Sequence, residues 1–237
     1  EDNEIYALAV RDDVFATAGK DYHIRVYDHN RRLTHDLFEG FQNVTAGHCN
    51  RVFSLKWHPT DTNLLLSGGW DNTVQVWDLR AGVSVRSLFG AHICGDAMDI
   101  SRDGRHVVTG SWRPSEQLQI WDFRTTDLVK SIPWDRDAGA KFGQSCMLYT
   151  ARFGGADDKI VAAAGSETNE AKLFDVVTGR CFGAMRTPDA LYCCEFSPNG
   201  RFVAFGGSGQ KVYICDVALP AEMIARAAAG VGTDEVT

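Results

Sequence analysis

Long apolar runs and an excess of basic charge are both missing from this sequence. No segment approaches the roughly 18 consecutive apolar residues that a membrane-spanning helix requires, so we expect no membrane association. Lys and Arg number 24 against 31 Asp and Glu, and the formal net charge is −7. Nonspecific binding to a phosphate backbone needs a positively charged face, so we expect no direct contact with nucleic acid. Residues 1–4 lack a secretion-signal pattern and an initiator Met, and we expect the natural start to lie upstream.

Motifs that carry catalysis or cofactor binding are also missing. There is no Gly-rich phosphate loop followed by Lys-Ser/Thr, no His-Glu-x-x-His and no EF-hand-like loop. The seven cysteines include no Cys-x-x-Cys pair and no Cys/His cluster of the kind that binds zinc. We therefore predict no enzyme activity, no cofactor, no metal and no small-molecule substrate. Unclustered thiols inside apolar runs are typical of a reducing compartment, which favours a cytoplasmic location.

The sequence does contain an internal repeat. His48 precedes Trp77 by 29 residues, and His92 precedes Trp121 by the same 29. Asp follows each of these tryptophans, and the two Trp-Asp dyads lie 44 residues apart. Self-similarity at such a period indicates one four-stranded unit repeated along the chain.

Three weaker copies of the dyad flank these two. They are Tyr27-Asp28, Phe174-Asp175 and Cys215-Asp216, and the steps from dyad to dyad are 50, 44, 53 and 41 residues. Turn-like insertions at 41–46 and 135–144 account for the two long steps.

Short apolar or alternating runs within each copy predict strands. In the copy that contains Trp77 we place them at 52–57, 63–68, 73–78 and 84–89. The same reasoning gives four complete four-stranded copies and a fifth with three strands, which ends at Val217. A short helix is predicted over 220–229, where Pro occupies the first turn and Gly follows as a stop.

The Gly-His … Trp-Asp pattern over residues 5 to 217 resembles the WD-repeat family. The resemblance implies an all-β chain of about five four-stranded β-propeller blades, at roughly 5–40, 47–90, 91–134, 142–186 and 187–217, followed by a tail at 218–237. Because this family most often has seven blades, the chain is expected to be part of a larger propeller. A closed five-bladed ring is the alternative.

The resemblance also assigns a hydrogen-bonded tetrad to His48, Ser67, Asp71 and Trp77. In such a tetrad the buried polar atoms of Asp, His, Ser and Trp are partnered in series. Ser, His and Asp are also the residue types of a nucleophilic triad, but the repeat explains them structurally, so we predict no catalytic residues. The other copies lack one or more tetrad members and are expected to rely on apolar packing.

These features predict a non-catalytic protein–protein interaction scaffold that is a subunit of a larger macromolecular assembly. Propellers bind partners mainly through loops at one end, and exposed Trp and Arg are typical of binding hot spots. The candidate contact residues are Lys20, Arg51, Trp70, Trp112 and Arg113. The alternative for the two tryptophans is that they only pack on neighbouring blades.

Two other functions remain open. Residues 65–80 resemble the sixteen-residue box of propellers that serve as substrate receptors of cullin-type ubiquitin ligases, with Arg80 and Arg124 as adaptor contacts. The chain is also compatible with a structural subunit of a ciliary, cytoskeletal or RNA-processing complex, and a nuclear location stays open with it.

Overall fold

The computed structural model describes residues 3–42, 44–134, 145–155 and 157–217. These residues form 19 strands and no helix, which confirms the prediction of an all-β chain. Accordingly, the described part contains no helix long and apolar enough to cross a membrane. The insertion predicted at 135–144 and the helix predicted at 220–229 lie outside the described residues.

The strands form five antiparallel sheets that follow one another along the chain, here called blades 1 to 5. Blade 1 contains β1 (Ile5–Arg11), β2 (Val14–Gly19), β3 (Ile24–Tyr27) and β4 (Leu33–Leu37). Blade 2 contains β5 (Val52–Trp57), β6 (Leu64–Gly69), β7 (Thr73–Asp78) and β8 (Val83–Phe89). Blade 3 contains β9 (Met98–Ile100), β10 (His106–Gly110), β11 (Leu118–Asp122) and β12 (Leu128–Ile132).

Blade 4 contains β13 (Met147–Gly154), β14 (Ile160–Ser166), β15 (Glu170–Asp175) and β16 (Cys181–Arg186). Blade 5 contains β17 (Leu191–Phe196), β18 (Phe202–Gly207) and β19 (Val212–Asp216). In every blade each strand pairs with the next one in the chain. The predicted count of four four-stranded sheets and one three-stranded sheet is therefore confirmed.

In blades 2, 3 and 4 the second strand is almost wholly buried because neighbouring blades cover both of its faces. In β14, with sequence IVAAAGS, every residue except the last is buried. A short continuous apolar run is what a strand packed between two neighbouring layers requires. The outer strands β12 and β16 are covered on one side only and carry exposed residues.

The hydrophobic core lies between the blades as four separate layers. Between blades 1 and 2, for example, Ala16 and Ile24 pack with Leu65 and Trp77. Equivalent layers join blades 2 and 3, blades 3 and 4, and blades 4 and 5. The first strands of consecutive blades also contact one another. This is the radial arrangement of propeller blades around a common axis.

The two end faces of this array are apolar and open. Leu8 and Val10 of blade 1 are 63% and 66% exposed, and Val212 and Ile214 of blade 5 are 69% and 70% exposed. Because these faces are not packed on each other, the described blades form an open array and not a closed five-bladed ring.

The predicted insertion at 41–46 follows the outer edge of blade 2. Gly40 forms a parallel bridge with Ser84 of β8, and the Ser84 amide donates to the carbonyl of Glu39 at 3.0 Å. The Thr45 hydroxyl donates to the Ser84 carbonyl. The connector thus covers an edge strand whose backbone would otherwise be unpaired.

Candidate functional site

The tetrad residues of blade 2 form a continuous chain of hydrogen bonds. The Trp77 indole N–H donates to Ser67 Oγ at 2.7 Å, and Ser67 Oγ lies 2.6 Å from His48 Nε2. On its other side, His48 Nδ1 lies 2.7 Å from Asp71 Oδ2. Burial raises the pKa of Asp71, but the bonds from His48 and Thr73 outweigh it and hold the pKa below its usual value.

Ser67 is fully buried, as is Trp77. The Ser67 hydroxyl accepts from Trp77 and is paired with His48, so it cannot approach a substrate. A nucleophile must face a cleft, and the geometry therefore supports the structural interpretation of these residues. In the described ranges no group of three His, Cys, Asp or Glu residues is arranged to hold a metal ion.

Blade 3 keeps only part of this arrangement. The Trp121 indole N–H donates to Thr109 Oγ1 at 2.9 Å. His92, which occupies the tetrad position in sequence, instead places Nδ1 2.7 Å from Asn72 Oδ1 on the neighbouring blade and stacks on Trp70. The turn at 112–116 has no Asp, so no carboxylate holds the imidazole inside blade 3.

Blade 4 has apolar layers on both sides, as expected, but in place of the tetrad it also has a buried ionic cluster that the sequence did not predict. Glu170 Oε2 accepts from the Trp134 indole at 2.9 Å and lies 3.1 Å from Lys172 Nζ. Glu170 Oε1 accepts from Arg186 Nε at 2.7 Å. Burial raises the pKa of Glu170, but the bonds from Trp134 and Arg186 bring it below its usual value.

The starts of the first strands and the turns after the second strands lie at the same end of the blades. The backbone amide of Lys20 donates to the carbonyl of Glu4, and that of Trp70 donates to Arg51, both at 2.9 Å. We call this end the turn end. The predicted contact residues lie there, in several different environments.

Lys20 and Arg51 are both engaged by neighbours. Lys20 Nζ is paired with Glu4 at 2.8 Å. The Arg51 guanidinium lies 5.1 Å from the centre of the Trp70 ring. These two cations therefore form the basic part of the turn end, at blades 1 and 2.

Trp70 packs on neighbours and yet remains half-buried. Its indole N–H donates to Cys94 Sγ at 2.9 Å, and its ring lies between Phe53, at 5.0 Å, and His92, at 6.3 Å. Burial raises the pKa of the Cys94 thiol to about 11, so this contact is made by a neutral thiol. Trp70 thus packs on residues of blades 2 and 3, and part of its surface stays accessible.

Trp112 is exposed to solvent, whereas the side chain of Arg113 is hydrogen-bonded within its own loop and to neighbouring segments of the chain. Trp112 is 39% exposed. The Arg113 guanidinium donates to the carbonyls of Gly90 and Glu116 and, at 2.7 Å, to Gln119 Oε1. With its donors committed to the chain, Arg113 stabilises the turn that presents Trp112.

Sequence reasoning missed four aromatic residues at this end. In blades 1, 2, 4 and 5 the first strand changes register near its start, which leaves one unpaired residue in each. These bulge residues are Tyr6, Phe53, Tyr149 and Tyr192. A β-bulge re-aims a side chain, and here it re-aims an aromatic ring in four blades. The available signal was an apolar–aromatic pair at or next to the start of each of these strands.

The bulge aromatics and the turn residues together form a surface that we call the aromatic arc. The Tyr6 ring stacks on that of Phe53 at 4.8 Å, and the Phe53 ring in turn lies 5.0 Å from that of Trp70. At the other end Tyr149 meets Tyr192 at 5.0 Å. Blade 3 has no bulge aromatic, and its place is taken by the neighbouring turn residues. The arc consists of Tyr6, Phe53, Trp70, His92, Trp112, Tyr149 and Tyr192.

A cleft of about 480 Å³ opens in the middle of the aromatic arc, between blades 2 and 3. Its walls include Asn72, His92 and Trp112. Burial lowers the pKa of His92, so the ring is neutral at pH 7. The cleft therefore offers one exposed indole and one neutral imidazole to a partner.

Beneath the arc, a charged network joins the first strands of blades 2 to 5. Arg152 is buried and donates to the carbonyls of Asp96 and Met98 at 3.0 and 3.2 Å, and it is ion-paired with the Asp96 carboxylate. Ser54 Oγ donates to the same carboxylate at 2.9 Å, and Glu195 lies 3.4 Å from Arg152. The nearby carboxylates raise the pKa of Arg152 although burial opposes this.

The two arginines of the ligase-type interpretation differ in their contacts. Arg80 is exposed and makes two bonds to the Asp78 carboxylate, at 3.0 and 2.7 Å. The residue before it, Leu79, donates to the carbonyl of Asn63 in the turn that follows the first strand. Arg80 therefore lies at the end of the blade opposite the turn end. Arg124 is exposed, and its carbonyl accepts from Arg86.

The family model described as "WD domain, G-beta repeat" matches residues 40–78 and 179–216. Both stretches end at the Asp of a dyad, one of them at the degenerate Cys215-Asp216. The model thus recognises one blade with a full tetrad and one without it.

Curated relatives resemble the chain over varying lengths. Coronin-like protein crn1 of Schizosaccharomyces pombe is 32% identical over 119 residues, which cover 48% of this chain and 19% of that protein. Nuclear distribution protein PAC1 of Komagataella phaffii is 25% identical over 87% of this chain and 47% of its own length. The Ribosome biogenesis protein WDR12 homolog of Culex quinquefasciatus is 24% identical over 71% of this chain and 37% of its own length. The chain therefore spans less than half the length of each of these relatives.

The repeat, the five consecutive antiparallel sheets, the buried tetrad and the matched family model all agree. Each blade is one copy of the repeat, and each dyad lies at the end of a third strand. The chain therefore contains WD repeats, two of which the family model matches directly.

Proposed function

We propose that this protein is a non-catalytic scaffold for protein–protein interaction and a subunit of a larger macromolecular assembly, and that it binds partners through the aromatic arc. The observation that carries the proposal is the arc itself, in which seven rings from five blades lie at one end of the molecule. Rigid aromatic side chains supply large contact areas at a low entropic cost. They are also enriched among the residues that dominate binding energy.

The composition of the turn end supports a protein partner. Exposed rings lie beside both cations and carboxylates, since Lys20 and Arg51 flank one part and Glu167 and Glu195 flank another. Aromatic anchors with a mixed polar rim are typical of protein interfaces. A nucleic-acid partner would instead favour a continuous basic stripe.

Two of the relatives are named for different processes, nuclear distribution and ribosome biogenesis. A blade architecture shared among such proteins favours a general binding platform. All seven cysteines are free thiols, and this supports our proposal of a cytoplasmic location.

The test removes two exposed or half-exposed arc residues and keeps the fold. We expect the Trp70→Ala, Trp112→Ala double variant to lose partners that co-purify quantitatively with the unmodified chain. The matched control is Val129→Ala, Val177→Ala, which removes two side chains that are 55% and 74% exposed outside the arc. A folded double variant that keeps every partner would refute the proposal.

The position of Arg80 supports a second candidate, a substrate receptor of a cullin-type ubiquitin ligase. Its guanidinium is exposed and oriented by Asp78 at the end opposite the arc. An adaptor could therefore bind at one end while a substrate occupies the other. Arg80→Ala should abolish co-purification of the adaptor and leave arc-dependent partners in place. If no adaptor co-purifies with the unmodified chain, this candidate is removed.

A further inference from the structure

Three aromatic side chains from three blades meet at one end of the arc. The carbonyl of Ser111 accepts from the amide of Leu148 at 3.3 Å, which brings the next residue of each segment, Trp112 and Tyr149, side by side. The Tyr149 and Tyr192 rings meet edge to face, with 74° between their planes. We call Trp112, Tyr149 and Tyr192 the aromatic corner.

The backbone permits this close arrangement because blade 3 has glycine beneath it. A Cβ at Gly95 would lie 2.5 Å from the Tyr149 carbonyl oxygen and 3.3 Å from its ring. Burial is the main influence that raises the pKa of Tyr149, and a hydrogen bond from the Trp112 side chain acts against it. Trp112 and Tyr149 are therefore coupled, while Trp112 and Tyr192 stay 39% and 45% exposed.

The electrostatic surroundings of the corner are acidic. Glu167 is exposed, lies in the turn after the second strand of blade 4 and acts electrostatically on Tyr149. Among the described residues it has no cationic partner. Glu195 follows Tyr192 on the same strand, and its side chain is 73% exposed although one of its oxygens lies 3.4 Å from Arg152. The opposite end of the arc carries Arg51 instead.

The rest of the arc includes a cation that lies against an aromatic ring, whereas the described part of the corner does not. The Arg51 guanidinium covers Trp70 at 5.1 Å, so the chain supplies its own cation to the aromatic surface there. No described Lys or Arg takes a comparable position over the rings of the corner. Aromatic faces attract cations, and more strongly where water is excluded.

Resting on the proposed function, we propose that the aromatic corner, together with Glu167, binds one cationic side chain of the protein partner. A guanidinium or a methylated ammonium fits this surface, because both are weakly hydrated cations that bind against aromatic faces. The guanidinium is planar and delocalised, and the methylated ammonium is bulky. Glu167 supplies the compensating negative charge at the edge of the corner.

The experiment titrates the whole chain with three peptides by ligand-observed NMR. The peptides are acetyl-Gly-Gly-X-Gly-Gly-amide, with X as arginine, trimethyl-lysine or the uncharged norleucine. We expect the better cationic peptide to bind roughly tenfold more tightly than the norleucine peptide. The preference between arginine and trimethyl-lysine identifies the source of the cation. Equal binding of all three peptides would overturn the proposal.

Variants then assign the binding to the corner. Tyr192→Ala should weaken binding of the cationic peptide roughly tenfold, and Glu167→Gln roughly threefold. Tyr192→Phe keeps the ring and should keep binding, so it tests the proposal even if Tyr192→Ala destabilises blade 5. Tyr6→Ala, at the equivalent bulge of blade 1, is the matched control and should have no effect. A loss with Tyr6→Ala equal to that with Tyr192→Ala would contradict the assignment.

The failure of this inference can be separated from failure of the proposed function. If the norleucine peptide binds as well as the others while Trp70→Ala, Trp112→Ala loses its partners, the cation site is wrong and the docking surface stands. If the cationic peptides bind selectively while that double variant keeps every partner, the cation site stands and the docking surface is wrong.

Discussion

Ser67→Ala should destabilise the protein more than the equivalent change in blade 3. In blade 2 the Ser67 hydroxyl accepts from Trp77 at 2.7 Å and pairs with His48 at 2.6 Å. Its removal leaves a buried indole N–H and a buried imidazole nitrogen without partners. Each such group costs about 1–3 kcal/mol, so the free energy of unfolding should fall by about 2–6 kcal/mol.

The matched variant is Thr109→Val, which preserves the shape of the side chain. Thr109 Oγ1 accepts from Trp121 at 2.9 Å, while the His92 ring pairs with Asn72. Only one buried donor loses its partner, and the expected cost is about 1–3 kcal/mol. The ratio of the two losses is therefore the quantity to measure.

Urea denaturation of both variants, followed by tryptophan fluorescence and by circular dichroism, measures the loss as a shift in the transition midpoint at constant slope. Thermal unfolding provides an independent ranking. If Ser67→Ala loses no more stability than Thr109→Val, the hydrogen-bonded chain in blade 2 does not act as a unit, and the reasoning fails.

Three further predictions follow from the other polar contacts and from the end faces. Glu170→Gln should remove a part of the stability that is lost in acid. Because the pKa of Glu170 is lowered in the folded state, its contribution is complete above the unfolded-state pKa and is lost as pH falls through the folded-state pKa. The melting temperature should therefore depend less on pH between pH 7 and pH 3 in the variant, and an unchanged dependence would contradict us. Arg152→Met should cost somewhat less than the about 3–5 kcal/mol of a fully buried pair, because the Asp96 side chain is 46% exposed; an unchanged denaturation midpoint would count against the network. The Val212→Lys, Ile214→Lys double variant should self-associate less than the unmodified chain in sedimentation velocity, without a lower melting temperature, because exposed apolar faces and strand edges drive association. Equal sedimentation of the two proteins would show that this face does not mediate self-association.

Sequence reasoning located the blades because their phasing is local. The spacing between His48 and Trp77 reflects the length of three short strands and two turns, which varies little from blade to blade. The strands of blade 2 were accordingly placed to within one residue, as in β6, expected at 63–68 and observed at Leu64–Gly69. Tight turns rich in Gly, Asn and Asp fixed the limits.

The polar contacts of the degenerate blades could not be predicted in the same way. Glu170 is contacted by Trp134, 36 residues earlier, and by Arg186, 16 residues later. No motif links these positions, and the pairing depends on how β15 and β16 meet in three dimensions. A buried carboxylate must be partnered, but the sequence alone does not say by which residue.

The bulge aromatics were missed for a related reason. A bulge is a property of two paired strands, because it exists only where one strand has an extra residue relative to the other. Tyr149 therefore reads in the sequence as one more member of an apolar strand. Only the register with β14 shows that it is unpaired and directed to the turn end.

Blade 3 shows that the loss of a tetrad and the presentation of aromatic rings at the turn end can be one structural change. Without a turn Asp, His92 is free to leave the interior of its blade and stack on Trp70, and the altered turn presents Trp112 beside the cleft. Apolar layers on both sides of blade 3 provide the stability that the missing bonds no longer supply. The missing turn Asp of blade 3 therefore coincides with the cleft in the aromatic arc, as expected if a local rule of the fold is relaxed at the surface that we propose as the binding site.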